Sequence, residues 1–121
     1  MAKKVDNTVL DGAFAIVDNA IRMAVCSAEP ANYAGIAAVT LAEATVAGGD
    51  FTVADGDTSG RKVTVAAKSG VSISASGTAT HVVLHDNSSV MHYVTTCSSQ
   101  ALVSGGTVDI GSWKIEIADP S

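Results

Sequence analysis

The second half of the chain alternates between apolar and polar residues with a period of two, and Gly, Ser or Asn residues separate the alternating runs. This pattern is typical of short β-strands that have one face in the core and the other in water. We predict strands at Arg61–Ala67, Val71–Ala75, Thr78–His85, Ser89–Cys97, Thr107–Ile110 and Ser112–Ala118. Short strands at such regular spacing predict a sandwich or a barrel.

The first sixty residues are less regular, and residues 6–21 have the period of an amphipathic helix. Asp6 or Asn7 can cap its N-terminus. We expect the apolar stripe of this helix to cover one end or edge of a sheet, or to dock on another subunit. Its large apolar members, our candidate interface residues, are Val9, Leu10, Phe14, Val17 and Ile21.

The segment between this helix and the alternating half is predicted to add two strands. Met23–Ser27 is the first, and Ala31–Gly35 is predicted as a loop. Residues 37–47 are rich in alanine, as a helix would be, yet their Val and Thr residues favour a strand, which is our prediction. Gly48 and Gly49 then form a turn.

These elements and the length of 121 residues predict one domain spanning residues 1–121. Its expected fold class is mainly β, a small antiparallel β-sandwich or barrel-like domain with one N-terminal helix. Within it, residues 61–118 are predicted to form the regular scaffold. Residues 1–60, with the helix and the less regular strands, are predicted to contact a partner.

Composition narrows the classes of function. Only 16% of the residues are charged, the net charge is −5, and there is no basic patch, since Lys3–Lys4 and Arg61–Lys62 are isolated pairs, which argues against nucleic-acid binding. Aromatic residues make up 4%, too few for a platform that stacks bases or sugars. The N-terminus does not resemble a signal peptide, and no run of about 18 apolar residues predicts a membrane span. A thinly charged surface favours contact with other proteins.

The segment from Asp55 to Arg61 is the sharpest local motif. Asp55, Asp57 and Ser59 alternate as oxygen ligands do at the start of a calcium-binding loop, which makes them a weak calcium candidate. The twelfth position of such a loop requires glutamate, and here it is Ala66. We therefore favour a turn leading into the next strand, and we predict no metal site.

Histidine and cysteine residues do not form a recognisable catalytic pattern. His81 and His85 are predicted to share one strand face about 13 Å apart, too far for one metal ion without a bridging ligand. Surface or interface positions are expected for them and for His92. Cys26 and Cys97 lack metal-binding spacing, and cytosolic synthesis favours buried thiols over a disulfide. We predict that the chain is not an enzyme and uses no cofactor.

The chain resembles small virion structural proteins of tailed bacteriophages, of the type encoded near capsid and tail genes. The segments that carry this resemblance are Met23–Pro30, Phe51–Val71, Gly77–Val82, Tyr93–Cys97 and Trp113–Pro120. The resemblance implies a part of a phage particle, made in the host cytoplasm and located in the virion. It supplies no active site to carry over.

Resemblance and composition together predict a non-enzymatic capsid decoration protein, also called a cement protein, on the outer surface of the head. Its expected partners are the major capsid protein or other virion proteins, with a homo-oligomer, a trimer rather than a monomer, as the assembled form. Neither nucleic acid nor membrane is an expected partner. The alternatives are a neck, collar or tail component and, less favoured, a module that binds glycans or the host surface.

Overall fold

Nine strands and two helices form the part of the chain that the computed structural model describes, residues 6–118. The helices are α1 (Asn7–Val17) and the short α2 (Ile36–Val39). The strands are β1 (Arg22–Cys26), β2 (Thr40–Thr45), β3 (Phe51–Asp55), β4 (Arg61–Val65), β5 (Lys68–Ser72), β6 (Gly77–His85), β7 (Met91–Leu102), β8 (Thr107–Ile110) and β9 (Trp113–Ile117). Single 3₁₀ turns precede α2 and β3.

The strands form three antiparallel sheets. The first has four strands in the order β2-β1-β6-β7, the second is β3-β4-β9, and the third is the pair β5-β8. The four-stranded sheet packs against the other two through one shared apolar core. The predicted fold class, a mainly β, antiparallel, sandwich-like domain with an N-terminal helix, is confirmed.

The core follows the alternation read from the sequence. Val63 and Val65 of β4 are fully buried, and Val71, Ile73 and Ile115 are buried as the pattern predicted. On the facing sheet the core residues come from all four strands and are Met23, Val25, Leu41, Ala42, Ala44, Ala79, Val82, Leu84 and Leu102. The predicted division at residue 60 does not divide the fold, because β1 and β2 share one sheet with β6 and β7.

The centre of the four-stranded sheet is buried on both faces. Residues 23–26 of β1 and 82–85 of β6 are all buried, so these two stretches do not alternate between the core and water. On the outer face, Ala24, Cys26 and Val83 pack under Ile36 of α2. The segment predicted as the strand 37–47 is therefore divided: α2 covers this face first, and β2 begins only at Thr40.

The N-terminal helix is shorter than the predicted span 6–21. The Asp6 carboxylate caps it by accepting a hydrogen bond from the Thr8 amide (2.8 Å), as expected, but the helix ends at Val17. Ile21 lies beyond it, where its amide donates to the His85 carbonyl (3.0 Å) and leads into β1. The sheet's hydrogen bonds thus replace those of the last predicted helical turn. Residues 1–5 of the predicted contact segment lie outside the described part.

Three strand boundaries also differ from the prediction. Phe51–Asp55, which we did not assign as a strand, pairs with β4 in a hairpin. Ser69 and Gly70, predicted as a turn, lie inside β5, where Gly70 adopts a positive φ of 65° at an irregular register. Strand β7 continues five residues past Cys97 to Leu102. Residues 98–102 do not alternate between apolar and polar residues, so pairing with β6 decides their conformation.

We expect truncation of Phe14 to be strongly destabilising, since this side chain is 1% exposed and belongs to the core. Phe14→Ala should lower the free energy of unfolding by about 3–5 kcal/mol through the cavity it leaves. The matched control is Ile16→Ala in the same helix, which is 61% exposed and should change stability by about 0.5 kcal/mol or less. Urea denaturation followed by circular dichroism measures both, and equal losses would contradict this packing.

Candidate functional site

The Asp55–Arg61 motif forms the loop of the β3–β4 hairpin, and its carboxylates contact cationic side chains. Arg61 donates through Nη1 to Asp55 Oδ1 (2.8 Å) and through Nε to Asp11 Oδ1 of α1 (2.8 Å). Lys62 donates to Asp57 Oδ1 (2.6 Å), and Lys114 of β9 pairs with the other oxygen. Asp11 first and Asp55 second raise the pKa of the Arg61 guanidinium. These ion pairs tie α1 and β9 to the hairpin.

The backbone of the loop agrees with the turn interpretation. Gly60 has a φ of 69°, and a Cβ there would collide with the Ile117 carbonyl of β9. The Gly56 amide donates to the Gly60 carbonyl (2.9 Å), which closes the loop. Across residues 6–118 there is no group of three or more His, Cys, Asp or Glu side chains placed to hold a metal ion. Asp55 and Asp57 act in this structure as acceptors for arginine and lysine.

Calcium should not stabilise the protein, because a bound ion would have to displace Arg61 and Lys62 from their carboxylates. We expect the melting temperature in millimolar calcium to equal that in chelator, measured by differential scanning fluorimetry. A rise of several degrees with calcium would restore Asp55, Asp57 and Ser59 as a calcium site.

His85 forms the most enclosed polar contact of the described residues. Its Nδ1 accepts a hydrogen bond from the Asn87 amide (3.0 Å), so the proton of the neutral ring lies on Nε2, which contacts Glu43 Oε2 at 2.9 Å. Glu43 also pairs with Arg22 (3.4 Å), and Tyr33 meets the imidazole edge-on. This differs from the predicted surface position, because Glu43 and the segment preceding α2 cover the ring.

A pocket of about 440 Å³ opens beside His85 and is lined in part by Thr40 and Ser74. A histidine that activates a hydroxyl must accept its proton through a free ring nitrogen. Both nitrogens of His85 are engaged, and the Ser74 hydroxyl donates instead to the Leu41 carbonyl (3.2 Å). The contact between His85 and Glu43 joins β6 to β2.

Of the other predicted histidine and cysteine residues, Cys26, His81 and Cys97 lie on the neighbouring strands β1, β6 and β7. His81 shares the outer face with His85, as the spacing predicted, and its Nδ1 contacts the Thr80 hydroxyl at 2.8 Å. Cys26 lies opposite His81 and is buried, which raises the pKa of its thiol. Cys97 is exposed, so the prediction of two buried thiols is correct for Cys26 alone. It is exposed because β7 is at the edge of its sheet.

Asp86 controls the turn between β6 and β7. Its Oδ1 accepts hydrogen bonds from the amides of Ser88, Ser89 and Val90 at 2.8–2.9 Å, and Asn87 adopts a φ of 58° within this turn. The Val90 and Ser89 amides are the main reason that the pKa of Asp86 falls to about 2. The sequence marked the turn, but it gave no signal that one carboxylate would organise it.

The Asp86 carboxylate should make stability depend on acid pH. Because its pKa is about 2 in the folded protein and near 3.8 in the unfolded chain, its contribution is complete above pH 4 and is lost as the pH falls towards 2. We expect Asp86→Ala to unfold at lower urea than the native protein at pH 7, with the difference shrinking between pH 4 and pH 2. A difference that is constant with pH would contradict the charge-assisted turn.

The candidate interface residues divide between the interior and the surface. Leu10 and Phe14 are buried in the protein's own core, and Val17 is partly buried against it. Val9 is 64% exposed and Ile21 is 42% exposed. Ile16, which we had not selected, is also exposed because the helix turns it to the side opposite Phe14. The outward face of α1 therefore retains apolar residues after the inward face has packed.

A second apolar surface lies where the sandwich is open between β7 and the strands β8 and β9. A groove of about 320 Å³ separates them, and its floor includes Val25, Val82, Leu102, Val108 and Ile110. Trp113 stands beside it, stacks on Tyr93 with ring centroids 5.9 Å apart, and donates from Nε1 to the Met23 sulfur (3.4 Å). The sequence pattern did not predict this groove, because the residues that line it lie on several different strands.

Comparison with known proteins adds no relative: no family model, curated protein or solved structure matches the chain. Within residues 6–118, neither helix has the length and apolar character needed to cross a bilayer.

Proposed function

We propose that this chain is a non-enzymatic structural protein of a phage virion, most specifically a decoration protein on the outer surface of the head. The resemblance to small virion proteins suggests the particle, and the distribution of apolar surface suggests how the chain contacts it. Its partner is the major capsid protein or another virion protein. Polar groups that could perform chemistry, above all Asp55, Asp57 and His85, instead link neighbouring strands.

The observation that carries the proposal is that α1 is apolar on both sides. Leu10 and Phe14 already attach the helix to the core, so the domain does not need the opposite side to be apolar. That side nevertheless exposes Val9, Gly12, Ala13 and Ile16, and Asp11, the one charged residue in α1, is paired with Arg61. Such a face is suited to burial against a partner protein.

The repetitive surface of a capsid suits a contact of this size. A single helix face buries less than the roughly 800 Å² per partner of a typical specific interface. Several contacts on one lattice raise the effective affinity without any new type of contact. A homo-oligomer would supply this multiplicity, and the mass of the free protein distinguishes the trimer expected from the sequence from a dimer and from a monomer.

Sedimentation with phage heads that lack the protein tests the proposal. We expect the native chain to pellet with heads in a fixed stoichiometry and to leave tails in the supernatant. The double variant Val9→Gln/Ile16→Gln should bind at least about tenfold more weakly, since each buried aliphatic side chain contributes about 1.5–3 kcal/mol. Glutamine is a good helix former, so α1 should remain folded.

Val103→Gln is the matched control, because Val103 is 69% exposed but lies in the β7–β8 connection rather than on α1. It should bind heads as the native chain does. Binding to tails in place of heads would support the neck, collar or tail alternative and contradict decoration. Retention on host envelopes, with neither heads nor tails bound, would support the surface-binding alternative.

A further inference from the structure

Strand β7 is the outer strand on one side of the four-stranded sheet, and α1 contacts part of it. It is the last strand in the order β2-β1-β6-β7 and, with twelve residues, the longest of the described strands. Residues 96–101 are all exposed. An edge strand of this kind presents unpaired amide and carbonyl groups that can bind the backbone of another strand. Irregular registers between Ala79 and His81 and between Leu84 and His85 interrupt its pairing with β6, but the strand continues to Leu102.

The opposite edge of the same sheet is covered at Leu41 and Ala42 of β2. The amides of Ser74 and Ala75 donate to the Leu41 carbonyl (2.8 and 3.2 Å), and Ile73 forms a bridge with Ala42. A strand added at the β2 edge would compete with this contact, whereas no strand of the described residues pairs outside β7. A ring or a filament built through this sheet needs two different free edges, whereas a two-fold pair needs one.

Charge also distinguishes β7 from the other edge strands. Charged side chains on an edge oppose pairing with another chain, because pairing removes them from water. Strands β2, β3, β5, β8 and β9 carry Glu43, Asp55, Lys68, Asp109 and the pair Lys114 and Glu116, respectively. Residues 91–102 contain no Asp, Glu, Lys or Arg and no proline. Strand β7 therefore lacks the charged residues and proline that commonly prevent an edge strand from pairing with another chain.

We propose that β7 pairs antiparallel with β7 of a second copy of this chain, across a two-fold axis, so that two four-stranded sheets join edge to edge. In such a pair the side chains near the axis meet their own copies, and a charge there would face a like charge. Because β7 has no Asp, Glu, Lys or Arg, it avoids this repulsion. It also has no charge pattern that would favour a different protein as its partner. The added strand also covers the mouth of the groove beside Thr95 and Trp113.

The mass of the free protein as a function of concentration tests this pairing without phage particles, so its outcome is separate from that of head binding. Light scattering after gel filtration should show the mass rise from 12.1 kDa towards twice that value as concentration increases. Thr96→Lys, which places a charge near the middle of β7, should raise the dissociation constant at least about tenfold. Thr52→Lys makes the same change on edge strand β3 and should leave it unaltered.

A spin label on the exposed Cys97 reports where the copies meet, because Cys26 is buried and should remain unlabelled. If Met91 pairs with Thr96 of the second copy, the two Cys97 backbones lie about seven residues apart, or about 25 Å, and registers centred closer to Cys97 bring them nearer. A monomer at all concentrations, a trimer, unaltered association of a folded Thr96→Lys variant, or a much longer distance between labels would each overturn the proposal.

Discussion

The pairing of β1 with β6 is the constraint on which the rest of the fold depends. These two strands are central in their sheet and buried on both faces, so water cannot satisfy their backbone groups and each must bond within the ladder. The register from Arg22↔His85 to Cys26↔His81 is continuous, without a bulge. Through it Met23 and Leu84 face the inner core while Ala24 and Val83 face the outer layer. A slip of one residue would exchange these faces.

The need to cover the β1–β6 pair accounts for most of the irregular elements. The outer face needs a cover, which α2 and the 3₁₀ turn before it provide. The end of the sandwich beside β4 is covered by α1, whose Phe14 enters the core while Asp11 pairs with Arg61. At the β2 edge of the sheet, the amides of Ser74 and Ala75 bond to the Leu41 carbonyl and cover this part of the edge. The β7 edge and the outward face of α1 are the surfaces that this scheme leaves uncovered.

Charged and polar side chains at strand ends and in turns mostly hold these elements together. Asp57 pairs with lysines of two strands, Glu43 links Arg22 to His85, and Asp86 accepts three amide hydrogen bonds in one turn. These contacts account for the positions of these residues at strand ends and in loops.

The sequence alone determined the fold class, because the period of two in residues such as Val63, Val65, Val71 and Ile73 can bury a core only as strands. The helix near the N-terminus followed from its period and its Asp6 cap. Local pattern also identified the Asp55–Arg61 turn and excluded a complete calcium loop. These features depend on neighbours within a few residues, so they are readable along the chain.

Tertiary structure decided the features that depend on distant neighbours. Only the folded chain shows that Leu10 and Phe14 face inward while Ile16 faces outward, that His85 meets Glu43, and that α2 interrupts a segment with strand propensity. The free edge of β7 and the groove beside it arise from sheet order, which brings together strands that are far apart in sequence. Alternation predicts which face of a strand is buried, but strand order decides which edge remains open to a partner.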